Sequence, residues 1–168
     1  MSTASQSTSA PRCLCALACG ACLAVSAVTC VTSCARGPVL SESAVRLRTD
    51  VALVLGHSAR RFGVQPRALA DHSVPCGDGL ARRTLRAEVR LPSGAPPRAL
   101  IDQATALSLD ASAQRGYRLT GPPSGPRRDR SFTLTRAVPQ VTLTVRLRGG
   151  RHPTMTLDGT TACLPDDT

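Results

Sequence analysis

Side chains in the second half of this chain change character every second residue, and that alternation limits the fold more than any other feature. Leu85, Ala87, Val89 and Leu91 alternate with Thr84, Arg86, Glu88 and Arg90. Phe132 and Leu134 alternate with Thr133 and Thr135, and Val141, Leu143, Val145 and Leu147 with Thr142, Thr144, Arg146 and Arg148. A period of two describes strands with one face on a core and one in water. Gly149-Gly150 supplies a hairpin turn, and Met155 and Leu157 carry the pattern beyond it. An all-helical fold is excluded.

Two segments have the helical period instead. Val45, Arg48, Val51, Ala52 and Leu55 share one spacing and predict an amphipathic helix over 42–61, with Ser41 as N-cap and Glu42 favourably placed in the first turn. Leu100, Ile101, Ala104, Leu107 and Ala111 predict a second helix, opened by Pro97 and closed by Gly116. Tyr117 to Thr120 follows as a short strand, while 63–79 and 121–130, rich in Pro and Gly, read as irregular. Helix, strand, helix and then hairpins give an α+β two-layer sandwich. Two helices cover one face of a mostly antiparallel sheet of four to five strands, and the other face is open and polar.

Ahead of this domain, residues 13–33 carry no charge and are rich in Ala, Val, Leu and Cys; Arg12 and the α-amino group are the only positive charges before them. That is the layout of a secretory signal. The run closes on Val31-Thr32-Ser33-Cys34, which resembles the bacterial lipobox. The resemblance implies cleavage after Ser33 and a diacylglyceryl group on Cys34. Two acyl chains hold a protein stably where one does so only marginally. Residues 1–33 then form the signal peptide, 34–40 the lipidated cysteine and spacer, and 41–168 a single domain on the extracytoplasmic face of the cell membrane. Two other readings compete. The run is long enough to span a bilayer uncleaved, and Cys13, Cys15, Cys19 and Cys22 have a metal-like spacing. The residues between those cysteines are apolar, however, which leaves no polar second shell for a metal.

Beyond Cys34 only Cys76 and Cys163 remain. Outside the cytoplasm an isolated pair forms a disulfide, and closing so long a loop stabilises by roughly 4–5 kcal/mol in the chain-entropy picture. Neither of these two cysteines lies in a CxxC pattern that would support a redox role.

The sequence from Pro75-Cys76 through the Leu85–Leu91 strand, Gly116-Tyr117 and the Val141–Leu147 strand to Cys163-Leu164-Pro165 resembles small lipoproteins of actinomycetes. The likeness covers most of 70–165. It implies an address and a fold, and no chemistry.

The net charge is +10, carried by 21 arginines and no lysine. Asn and Trp are also absent and Ile occurs once, the mark of a coding sequence drawn toward G and C. Drift converts Lys to Arg but does not create an excess over 11 acids, so an anionic partner is indicated. Nucleic acid is not, because single-strand binding needs aromatic platforms that the chain lacks. Arg86 and Arg90 share one strand face, and Arg146 and Arg148 another; adjacent strands would combine them into a guanidinium grid. Arg127, Arg128 and Arg130 form a basic loop, and Arg36, Arg46 and Arg48 lie near the proposed membrane attachment. The alternative is a merely soluble, compositionally biased face.

No catalytic residue, metal or cofactor is assigned. Asp71-His72-Ser73 unites three catalytic residue types, but neighbours in sequence do not converge as a triad must. A metal held by His57, Asp71 and His72 is the runner-up, as a small envelope enzyme. Gly77-Asp78-Gly79 with Arg82 and Arg83 reads either as an anion nest or as a plain turn. The reading is therefore a membrane-anchored, non-enzymatic binding module for an anionic lipid, wall polymer or envelope protein. Its alternatives are the metal enzyme and a subunit of a membrane complex.

Overall fold

The computed structural model describes residues 37–126 and 128–167. Their elements run α1 (Leu40–Phe62), β1 (Pro66–Gly77), β2 (Leu80–Arg90), α2 (Pro97–Ala113), β3 (Arg118–Ser124), β4 (Asp129–Arg136), β5 (Val141–Arg148), β6 (Thr154–Thr161) and β7 (Leu164–Pro165). The sheet order is β1-β2-β6-β5-β4-β3, with β7 beside the start of β2, and every pairing is antiparallel. Both helices pack on one face, so the α+β sandwich holds with seven strands instead of four to five.

The two added strands are β1, which covers most of the segment read as irregular, and the two-residue β7. β3 is the short strand expected at 117–120, and like β1 it goes beyond what alternation reveals, continuing through Gly121–Ser124. Both lie at sheet edges and are exposed along almost their whole length. An edge strand has no buried face to impose a period of two, and it accepts proline, here Pro66, Pro75, Pro122 and Pro123.

The helices begin and face differently from the expectation. The N-cap of α1 is Val39, not Ser41; Leu40 extends the helix because it is buried with Ala81 and Leu164. Ser41 instead binds the far end of the chain, its N–H donating to Asp167 Oδ1 at 3.1 Å and its hydroxyl to Oδ2 at 2.5 Å. Leu47, Val51, Val54, Leu55 and Ala59 form the buried stripe, whereas Val45 is 59% exposed and Arg48 bonds at the surface. On α2, Thr105 and Ser108 are buried by donating to Ile101 and Ala104 carbonyls, both at 2.7 Å. The core between the layers is filled by Leu85, Val89, Leu134, Leu143, Val145, Leu147, Met155 and Leu157 from the sheet.

Cys76, on β1, and Cys163, between β6 and β7, form the expected disulfide, with Cα atoms 6.1 Å apart. No helix among the described residues is long and apolar enough to cross a membrane.

Candidate functional site

The helices leave one sheet face uncovered, and cross-strand register sets its chemistry. One row runs His72, Thr84, Thr160, Thr142, Thr135 and Arg118 across all six main strands. Threonine suits such a face: its branched Cβ packs on the pleat and its hydroxyl stays wet. Thr120 and Thr135 also share a hydroxyl–hydroxyl bond of 3.1 Å.

The arginines occupy the rows nearer the C-terminal end of β2, and β6 separates the two arginine-bearing strands. Arg86 lies directly opposite Asp158 of β6 and binds its Oδ1 at 3.1 Å. Arg146, diagonal to Asp158 from β5, binds the other carboxylate oxygen. The expected four-arginine grid is thus half neutralised by a carboxylate seated between two guanidinia. At the next arginine row, Arg90 and Arg148 both pair with Thr154. Neither makes an ion pair or side-chain hydrogen bond among the described residues. Glu88 on the same face is taken by Arg67 at 2.7 Å, and Asp129, beyond Arg148, accepts from the Gly149 N–H at 3.1 Å. Beside Thr154 opens a cleft of about 570 Å³ whose lining includes Glu88, Arg90, Ser93, Arg151 and His152.

This basic end lies far from the point where the chain enters the fold. Leu40 packs by Ala81, at the start of β2, while Arg90 ends that strand. The nine residue steps from Ala81 to Arg90 extend about 30 Å. Around the entry point the surface is less polar: Val45 and the 77%-exposed Val138 line a cleft with Pro38, Pro139, Arg46 and Arg115.

Other residues singled out from sequence do not converge. His57 is on α1, over the covered face of the sheet, whereas His72 points from the open face. The metal site of His57, Asp71 and His72 is therefore not assembled; among the described residues no three metal-ligating side chains cluster. Asp71 faces α1 and bridges Arg48 at 2.6 Å and Arg83 at 2.5 Å. The Arg83 hydrogen bond, joined by Arg48, holds its carboxyl below the ordinary carboxylate range despite partial desolvation. Ser73 accepts from the same Arg83 at 3.2 Å. Gly77-Asp78-Gly79 is the β1–β2 turn, all three residues with positive φ, and Arg83 is committed to Asp71 on the opposite face from Arg82. The basic loop also divides: Arg130 turns to the helix layer and binds Asp102 at 2.9 Å, and Arg128 is exposed. Cys34, Arg36, Arg127 and the leader, with Cys13, Cys15, Cys19 and Cys22, lie outside the described residues.

One polar cluster escaped the sequence reading. Asp50 of α1 is fully buried and accepts from Arg115 Nε at 3.0 Å, Tyr117 Oη at 2.9 Å and Arg136 Nη1 at 2.6 Å. Arg136 also stacks over the Tyr117 ring, 4.9 Å from its centroid. The available signal was position: Asp50 stands three residues after Leu47 and four before Val54, where the helical period demands a core residue. Three donors from two other segments converge on the one carboxylate, while Arg136 Nε and Nη2 stay buried without a hydrogen-bond partner; the cluster braces the two layers.

Fold and surface together define a two-layer α+β protein with an open, threonine- and arginine-bearing antiparallel sheet. No protein family, curated protein or solved structure matches the chain.

Proposed function

We propose that this protein is a lipid-anchored, non-enzymatic envelope module, attached through Cys34 on the extracytoplasmic side of the membrane, whose open sheet face binds an anionic partner. The carrying observation is the pair Arg90 and Arg148, left without carboxylates on a face where Arg86 and Arg146 share one. Exposed cations that a fold does not neutralise internally are available to an outside charge. The distance of about 30 Å between that pair and the chain's entry point exceeds several Debye lengths at physiological salt. A wall polymer or acidic envelope protein therefore fits this end better than the anchoring bilayer's own headgroups.

The anchor and the binding are tested separately. Intact mass of the cell-derived protein tests the anchor: loss of residues 1–33 and a diacylglyceryl adduct on Cys34 support it, and a free, unprocessed N-terminus refutes it. Co-sedimentation with anionic wall material, falling as salt rises, supports the binding role. Absent or salt-insensitive association refutes it.

A further inference from the structure

We propose that Arg90, Thr154 and Arg148 form an open seat for a phosphate group carried by the partner. On one stretch of three neighbouring strands, β2, β6 and β5, arginines approach from the two outer strands and a carboxylate, Asp158, sits between them. Four residues along β6 the same strands again offer an arginine on each side, Arg90 and Arg148, both in direct register with the central residue. Here that residue is threonine, and no charge fills the place. The outer strands stand two inter-strand spacings apart, about 9.6 Å, a span that Arg86 and Arg146 already bridge to one carboxylate.

The chemistry of the seat favours phosphate. Guanidinium forks approaching from opposite sides bind best a group that presents oxygens to both, as a tetrahedral phosphate does. The Thr154 hydroxyl between them donates to a third oxygen. Arg151, in the wall of the adjoining cleft, supplies a further positive charge for a phosphodiester chain passing over the sheet. Of the acids on this face, Glu88 is paired with Arg67, and Asp129, opposite Arg148 on β4, makes no ion pair with it and turns one carboxylate oxygen to the Gly149 N–H.

This proposal rests on the reading of the open face as an anion-binding surface, but not on the anchor. It is tested on the full chain, purified from cells with its disulfide intact, by titrating inorganic phosphate and following arginine Nε–H resonances. Saturable shifts confined to Arg90 and Arg148, and lost in R90Q and R148Q, support it. Thr154→Asp builds the Asp158 arrangement into the second row and abolishes phosphate binding with the fold retained. Asp158→Thr does the reverse and adds a second site at Arg86 and Arg146. Unchanged phosphate binding in T154D, or no saturable shift in the natural protein, overturns the seat, and acetate binding as tightly as phosphate overturns the assignment to phosphate. Should the seat fail while salt-dependent sedimentation with wall material persists, the anion-binding role stands without it; loss of both removes the role as well.

Discussion

Arg136, at the end of β4, reaches across the layer interface and donates its Nη1 proton to the carboxylate of Asp50 on α1 at 2.6 Å, where Asp50 has no exposure to solvent. Arg115 and Tyr117 complete the set and tie α1, the end of α2 and the sheet to one anion. Removing the shared acceptor would leave Arg136, itself mostly buried, without its counter-charge. Asp50→Ala is therefore expected to cost about 3–5 kcal/mol, read as a fall in urea midpoint at constant slope. A change within experimental error would show that the brace contributes nothing.

Tyr117 is the only tyrosine, so its ionisation can be followed without interference. Burial first, and then the adjacent Asp50 charge, raise its hydroxyl well above the ordinary value. A folded-state value above the unfolded one means the stabilisation is complete below about pH 10 and is lost as pH rises beyond it. Phenolate absorbance should stay absent in the folded protein just above pH 10 and appear only with unfolding. Titration like free tyrosine would contradict this.

Gly159 lets α1 approach the sheet closely. A Cβ there would lie 2.6 Å from Leu47 Cδ1 and 3.0 Å from Leu143 Cδ2, and both leucines are fully buried. Gly159→Val should destabilise by about 1–3 kcal/mol through overpacking, measured as a lowered thermal midpoint. An unchanged midpoint would mean the layers can part cheaply.

The Cys76–Cys163 bond fastens the β1–β2 turn region to the chain's last strand, beside the small cluster of Leu40, Ala81 and Leu164. Replacing both cysteines with serine should cost about 2–5 kcal/mol. Hydrogen-exchange protection should fall first at Ala81 and Leu164, with the central Val145 and Leu157 amides holding longer. Uniform loss across the sheet would argue against a local fastening.

Local pattern carried the strands with a buried face and both helices, because burial on one side writes a period directly into the residues. It placed Arg86, Arg90, Arg146 and Arg148 on polar faces correctly for the same reason. Edge strand β1 left no such trace, and β3 was legible only over 117–120, since both are exposed along almost their whole length. The pairing of Cys76 with Cys163 followed instead from their being the only cysteines beyond Cys34. The burial of Asp50 depended on which stripe of α1 met the sheet. Whether any arginine was neutralised depended on strand order: inserting β6 between β2 and β5 brought Asp158 to one arginine pair and Thr154 to the other. Periodicity is a property of neighbours along the chain. Charge compensation is a property of neighbours in space, and only the assembled sheet, with its long-range register, decides it.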